Sequence, residues 1–435
     1  MTLIGDAEEI AATLQQELQD RLDVRTVVGH GAHPSTLERA GAGEADLLIA
    51  LTSSDEVNMM ACSVAQALFQ TEVKIARVRA ADYLGTPELF EPGAVPIDVR
   101  ISPEQLVTQH IRQLIRYPGS FQVLDFADDR VRLLGVRAHR DGLLVNQRIR
   151  ELRTHLPDVE VRIAAIYRDG QSVVAEGDTL IREDDEIFFI AAREDIRAMM
   201  AEIRKVEAPV RRVVIAGGGN IGLRLALALE ADNNVKVIER DRERAQRVSE
   251  QLSSAIVLHG DAADEDLLLE ENIDAADVFI AVTNADEANI LSAMLAKQLG
   301  CRKVMALINR PAYAEMVESG SIDVAISPQQ ITIGSLLALA RRGDMVKVHS
   351  LRRGHAEAIE AVARAQEQTP QVTGRRVQEV VLPPGASINI LIREDRVMEA
   401  HHDTVIQAGD HLIMFLTDRR QVDQVAALFQ PSGRR

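Results

Sequence analysis

The feature that most constrains this chain is an internal repeat. Ala45-Asp46-Leu47-Leu48-Ile49-Ala50-Leu51-Thr52-Ser53-Ser54-Asp55-Glu56-Val57-Asn58 returns as Ala276-Asp277-Val278-Phe279-Ile280-Ala281-Val282-Thr283-Asn284-Ala285-Asp286-Glu287-Ala288-Asn289, 231 residues later. Self-similarity at this scale means that one domain-sized unit is built twice. The same offset pairs Gly29 with Gly260, Leu37 with Leu268, Val73 with Val304 and Arg79 with Arg310 without a gap. Further on, Ile97-Asp98-Val99-Arg100-Ile101-Ser102-Pro103-Glu104-Gln105 matches Ile322-Asp323-Val324-Ala325-Ile326-Ser327-Pro328-Gln329-Gln330 at offset 225. Six extra residues are thereby assigned to the loop Leu84 to Pro96 in the first copy. Offset 225 then persists, pairing Arg168 with Arg393, Thr179 with Thr404 and Asp185 with Asp410.

Each copy has two textures. In the second, the short apolar runs Arg212–Ala216, Val235–Glu239, Ala255–Leu258, Val278–Val282 and Lys303–Ile308 are separated by helical spacers. That alternation predicts a parallel sheet covered by helices, and the lack of polar alternation fits strands buried on both faces. Ser327-Pro328 then opens an apolar helix over about Gln329–Ala340, as Ser102-Pro103 does in the first copy. The second texture, with strands over Val123–Leu134, Val161–Arg168 and Glu186–Ala192 and turns at Asp169-Gly170 and Glu176-Gly177-Asp178, predicts a small α+β unit. The fold expected is α/β, with two Rossmann-like parallel-sheet domains at residues 1–117 and 209–342. Each is followed by a small α+β domain, at residues 118–208 and 343–435.

Composition narrows the function. Over 435 residues, 49 Lys+Arg against 66 Asp+Glu give a net charge of −17, and aromatics are 3% with no Trp. Both argue against nucleic-acid binding, which needs neutralised phosphates or stacking platforms. No run approaches the ~20 apolar residues of a membrane span, and Met1-Thr2-Leu3-Ile4-Gly5-Asp6 is unlike a signal peptide. A cytosolic chain is expected, held at a membrane only through a partner. Cys62 and Cys301 are the only cysteines and are expected as buried small hydrophobes. Gly29-His30-Gly31-Ala32-His33 has no third ligand at metal spacing and is expected to be a polar turn.

The chemistry-bearing segment is Gly217-Gly218-Gly219-Asn220-Ile221-Gly222, directly after the run Val213–Ala216 and directly before the helical run Leu223–Ala231. This is a G-x-G-x-x-G sequence in the strand-turn-helix context that lets backbone N–H groups cradle a pyrophosphate. Glu239, 22 residues beyond Gly217, suits a ribose diol, with an exposed strand-end carboxylate as the bland alternative. The acid disfavours a 2′-phosphate, so NAD or an adenine nucleotide is preferred to NADP. Gly260-Asp261-Ala262 is placed for the adenine end or is a simple turn. Thr283-Asn284 ends the fourth strand on the ligand edge or caps the following helix. In the first copy, offset 231 puts the strand and glycine loop ahead of Met1. That copy is expected to have lost its cradle or to start some thirty residues upstream, with a sheet position left unfilled and Asp6 as its nearest ribose-contacting acid.

Gly29-His30-Gly31, Thr52-Ser53-Ser54-Asp55-Glu56, Ser102-Pro103-Glu104-Gln105, the Gly217 loop, Ser327-Pro328-Gln329-Gln330 and Gly409-Asp410-His411-Leu412-Ile413-Met414-Phe415-Leu416-Thr417-Asp418 together closely resemble the TrkA family, the peripheral subunits of bacterial Trk potassium uptake systems. The resemblance implies tandem regulator-of-conductance domains that bind NAD(H) or ATP/ADP. It implies a homo-oligomer, a dimer or tetrameric ring, on the inner face of the membrane against a membrane-embedded potassium transporter subunit. It implies gating, with no catalysis. Carried over by position, nucleotide contacts fall on Gly217, Gly219, Asn220, Ile221, Gly222, Glu239, Asp261, Thr283 and Asn284. In the first half Thr52, Ser53 and Arg77 remain. Arg77, paired by offset with Ile308, reads equally as an exposed salt-bridging residue. The other classes in view are an NAD-dependent oxidoreductase and a soluble nucleotide sensor with a non-channel partner. An oxidoreductase needs a His, Lys or Tyr acid or base near the nicotinamide, and neither small module offers a convincing one.

Overall fold

The computed structural model describes residues 2–5, 24–173, 175–205, 207–317, 322–340, 345–351, 356–365, 369, 371–394 and 396–429. The chain divides into two compact units, Met1–Gln105 and Leu106–Arg435. In the first, β1 (Thr2–Gly5) and β2 (Arg25–Val28) form a parallel pair. Next, β3 (Leu47–Ala50), β4 (Val73–Arg77) and β5 (Val99–Ile101) form a parallel sheet in the order β3-β4-β5. The helix Asp55–Val64 is capped by Ser54, whose hydroxyl accepts the Val57 N–H at 3.2 Å. It packs Ala61 and Cys62 against Ala50 and Ala76.

The second unit opens with a five-stranded antiparallel sheet: β6 (Ser120–Phe126), β7 (Val131–Arg137), β8 (Val161–Arg168), β9 (Gln171–Val173) and β10 (Glu186–Ala192), ordered β6-β7-β10-β8-β9. The run read as one strand over Val123–Leu134 is a hairpin. Its turn places Ala127, Asp128 and Asp129 at φ 49°, 53° and 71°. A six-stranded parallel sheet follows: β11 (Arg212–Ala216), β12 (Asn234–Glu239), β13 (Ile256–His259), β14 (Val278–Ala281), β15 (Lys303–Leu307) and β16 (Val324–Ile326). Its order, β13-β12-β11-β14-β15-β16, is the doubly wound arrangement in which strand order reverses beside the central β11. Last come β17 (Met345–Leu351), β18 (Ala356–Val362), β19 (Ala386–Arg393), β20 (Arg396–Glu399) and β21 (His411–Leu416), ordered β17-β18-β21-β19-β20.

The two small sheets share one order of strands, and one buried ion pair recurs in both. Arg168 holds the fully buried Asp185 through two 2.8 Å bonds, and Arg393 holds the fully buried Asp410 at 2.9 and 2.8 Å. Each arginine also donates to a backbone carbonyl, Leu180 O or Val405 O. The two sheets bury apolar faces against each other, Phe126, Leu133, Tyr167 and Phe188 meeting Leu351, Ile392, Ile413 and Phe415.

Strand register corrects the alignment of the repeats. β3 pairs Leu47 with Val73 and β14 pairs Val278 with Lys303, so the offset drops from 231 to 230 between these strands. The cause is a π-helical turn at Ala65–Phe69, which accommodates one inserted residue, whereas helix Asp286–Gln298 runs on regularly. Arg79 therefore corresponds to Asn309, and Arg77 to Leu307. The Arg79 N–H donates to Asp55 at 2.7 Å as the Asn309 N–H donates to Asp286 at 2.9 Å. Only five of the six extra residues lie between β4 and β5, where Ile75 to Val99 matches Met305 to Val324.

In the second unit, burial pushes the half-buried imidazoles of His110 and His349 down to about 4, each further opposed by a nearby lysine, Lys303 or Lys347. The unfolded chain then binds more protons than the folded one between that value and the ordinary 6.5. Stability is therefore full above pH 6.5 and is lost as pH falls toward 4, by at most about 3 kcal/mol per histidine. Urea unfolding at pH 7 and pH 4.5 is expected to show this loss, and His110→Leu with His349→Leu to flatten it.

Candidate functional site

β11 delivers its carboxyl end into the glycine loop at the point where strand order reverses. Gly217 has φ 107°, and its N–H donates to Ile238 O at 2.8 Å, which turns the chain sharply away from the sheet. A Cβ there would lie 3.1 Å from Thr283 Cγ2. The Gly218 N–H donates to Glu239 Oε2 at 2.7 Å. Gly219 stands at the N-cap of helix Asn220–Leu229 without a side-chain cap, and a Cβ on it would meet nothing within 4 Å. Within this helix the first N–H groups, those of Asn220, Ile221 and Gly222, have no acceptor one turn back. At Gly222 a Cβ would lie 1.8 Å from Gly217 O, so helix and loop close on each other there. Space for an anion thus lies over Gly219, with the positive end of the helix beside it.

Glu239 is not an exposed strand-end acid. It is 5% exposed, with Oε2 on Gly218 and Oε1 accepting the Asp241 N–H at 2.8 Å, while Arg244 Nη1 lies 3.6 Å away. Its carboxylate bridges the ends of β11 and β12 and reaches the glycine loop. Asp261 is exposed in the turn after β13, where Oδ1 accepts the Ala263 N–H at 2.9 Å; the next helix is capped by Asp264 instead. Thr283 closes a clasp at the end of β14. Its N–H and hydroxyl both reach Asn289 Oδ1, at 2.8 and 2.7 Å, and Asn289 Nδ2 donates to Thr283 O and Leu307 O at 3.0 and 2.9 Å. The adjacent Asn284 is exposed on the same turn. Asn289 belongs to no motif in the sequence; its one signal is that Asn58 and Asn289 end the two matched segments.

The first unit repeats the clasp. Thr52 N–H and Oγ1 reach Asn58 Oδ1, both at 2.8 Å, and Asn58 Nδ2 donates to Thr52 O and Arg77 O at 3.2 and 3.0 Å. Ser53 O accepts from Arg79 Nη2. The Arg77 guanidinium lies 3.7 Å from Glu104. Gly5 holds the place of Glu239, because Gly29 N–H donates to Gly5 O as Gly260 N–H donates to Glu239 O. Asp6 lies outside the described residues. Among these residues β1-β2 and β3-β4-β5 are separate sheets, matching the two flanks that β11 joins in the other copy.

His30 and His33 stack at 4.4 Å between ring centroids, with His30 Nδ1 accepting the Ala32 N–H at 3.3 Å. No cluster of metal-ligating side chains occurs among the described residues. Cys62 and Cys301 are buried, and burial pushes their thiols up to about 12 and about 11.

Fold and loop define a tandem α/β protein: the second half has a Rossmann-like sheet followed by a small antiparallel sheet, the first has the two flanks of such a sheet followed by another small antiparallel sheet, with one glycine loop of the dinucleotide-binding shape among the described residues. The TrkA-N domain family matches residues 1–103 and 213–328, and the TrkA-C domain family matches residues 128–204. The Trk system potassium uptake protein TrkA of Halomonas elongata is 54% identical over 415 residues, spanning 95% of this chain and 91% of that protein. Its counterpart in Vibrio alginolyticus is 51% identical over 436 residues, spanning 99% and 95%. The solved GsuK channel bound to NAD has the same fold, with a TM-score of 0.58 at 18% identity, covering 98% of this chain and 74% of that one. The chain belongs to the TrkA family.

Proposed function

We propose that this protein is the regulatory subunit of a potassium uptake system, and that a nucleotide bound at the Gly217–Gly222 loop sets the conformation passed to a membrane-embedded transporter. The observation that carries the reading is the open space over Gly219, framed by a helix N-terminus and by Glu239, in a chain 54% identical to a potassium uptake protein. The ligand is NAD(H) or ATP/ADP. Its phosphates lie against the N–H groups of Gly219, Asn220, Ile221 and Gly222. Glu239 accepts from the ribose, Asp261 stands at the adenine end, and Thr283 and Asn284 border the far side. In the first half Thr52, Ser53 and Arg77 form a different, reduced site. The GsuK channel, solved with NAD bound, supports a nicotinamide dinucleotide as one candidate.

Regulation requires that ligand affinity differ between two conformations. One continuous element joins the nucleotide edge to the first small module. Thr283 is clasped to Asn289, Asn289 holds the end of β15 through Leu307 O, and at the other end of β15 Lys303 Nζ donates to Ser120 O at 2.9 Å, the start of β6. A ligand that moves the Thr283 turn therefore bears on β6. The protein acts as a homo-oligomer, a dimer or tetrameric ring, at the inner membrane face, and performs no catalysis. Among the described residues no helix is long and apolar enough to cross a membrane, so contact with it runs through the transporter.

Co-purification of the tagged chain with a Trk-type membrane subunit, with and without nucleotide, tests this reading. Nucleotide-sensitive capture is expected. Failure to capture the subunit under any condition would favour a soluble sensor, and steady NADH consumption with a hydroxy-acid or keto-acid partner would favour an oxidoreductase.

A further inference from the structure

A cavity of about 740 Å³ in the second unit lies away from the glycine loop. It is formed where the end of helix Pro103–Arg116, the β6–β7 turn, the turn after β10 and β20 come together. Its lining includes four arginines, Arg116, Arg130, Arg193 and Arg197, in a chain whose net charge is −17. Pockets of this volume hold ligands of ordinary metabolite size. Three carboxylates, Asp128, Asp129 and Glu194, also line it, but Asp129 is taken up by the buried Arg132 and, at 2.6 Å, by Arg193. Among the described residues Arg116 and Arg197 have no hydrogen-bond or ion-pair partner, and they reach the cavity from different helices.

Two further observations separate this cluster from ordinary solvated arginines. The first is the repeat. β21 pairs and turns as β10 does, yet the positions matching Arg193 and Arg197, counted from the start of the strand and of the helix that follows it, hold Asp418 and Asp423. The fold therefore does not require cations there. The second is the cavity wall. Ala127, Asp128 and Asp129 are three successive non-glycine residues in the left-handed region, a conformation that persists only where its surroundings impose it. Here Ala127 N–H donates to the buried Glu360 at 3.0 Å, Arg130 Nε to Ala127 O at 2.9 Å and Arg130 Nη1 to Glu394 O at 2.5 Å. Glu360 and Glu394 belong to the second small module, so both small modules hold the wall in shape. Tyr117, on the cavity lining, accepts from the fully buried Arg132.

We propose that this cavity is a second anion site that takes a polyphosphate group, either free or on a nucleotide. Planar guanidiniums match phosphate oxygens two at a time, and arginines spread around a space of this size suit a chain of phosphates better than one. Because the wall is pinned from both small modules, a bound polyanion is read by both.

Calorimetric titration of the full-length protein with inorganic tripolyphosphate and with ATP tests the site, using Gly219→Asp protein so that the loop contributes nothing. Binding of at least one probe is expected. Arg197→Asp, which imports the residue of the sister module, or Arg116→Gln is expected to weaken it at least tenfold with an unchanged thermal melt. Tighter binding of tripolyphosphate identifies a free polyphosphate as the ligand, and tighter binding of ATP a nucleotide. No binding of either probe to Gly219→Asp protein, or binding that both arginine substitutions leave intact, overturns the proposal. Either result leaves the nucleotide reading of the loop untouched.

Discussion

Protein carrying Gly219→Asp is expected to melt with the native protein and to bind NADH at least ~100-fold more weakly, about 2.7 kcal/mol, any remaining ATP binding being that of the arginine cavity. The geometry separates these effects. Gly219 has φ −71° and ψ −170°, which any residue adopts, and a Cβ there meets nothing within 4 Å. The position is also the N-cap of helix Asn220–Leu229, where Asp is among the favoured residues because its carboxylate accepts the helix's free N–H groups. That same carboxylate occupies the space a phosphate would take and presents it with like charge. Gly219→Ala is the companion measurement, since it adds volume without charge. Calorimetry beside a thermal melt checks both, and a folded Gly219→Asp protein of unchanged affinity would remove the loop from the account.

Gly222→Ala is expected to do the opposite, unfolding the loop with the site. The added Cβ would lie 1.8 Å from Gly217 O and 3.0 Å from Gly217 C, both backbone atoms with no rotamer to give way. Relief requires moving either the start of the helix or a turn that Gly217 makes at φ 107° while its N–H is bonded to Ile238 O at 2.8 Å. Forced overpacking of this kind costs about 3 kcal/mol or more. Denaturant unfolding is the check. A loss below about 1 kcal/mol, the low end for overpacking, would mean that helix and loop are not in close contact. One glycine thus leaves room and another closes contact, three positions apart in the same motif.

Much of this is legible in the sequence. The strand runs of the second copy emerge within a residue or two, because buried strands such as β11 and β14 are continuous apolar runs that end where helices begin; β13, at the sheet edge with Ile256 exposed, departs from the expected burial on both faces. The glycine loop was legible because its chemistry is local. What was not legible has physical reasons. The extra residue in the first copy is absorbed by the π-helical turn Ala65–Phe69, and apolar neighbours on both sides keep matching one position out of step, so Val73 aligned as well with Val304 as with its true partner Lys303. Glu239 is legible as a candidate ribose acid, but its burial is not, because sequence does not reveal that Gly218 and Asp241 donate to it. Gly5, rather than Asp6, takes its place in the first copy, and only the Gly29 hydrogen bond shows that. The four arginines of the cavity come from separate elements with no common spacing.

On the proposed function, nucleotide at the Gly217–Gly222 loop controls potassium uptake. The most direct test is potassium flux through the membrane subunit in proteoliposomes, with this protein added while nucleotide is varied. Native protein is predicted to make flux depend on nucleotide, and Gly219→Asp protein, bound equally well to the vesicles, to give flux that does not respond. A nucleotide response undiminished in Gly219→Asp protein would contradict the account.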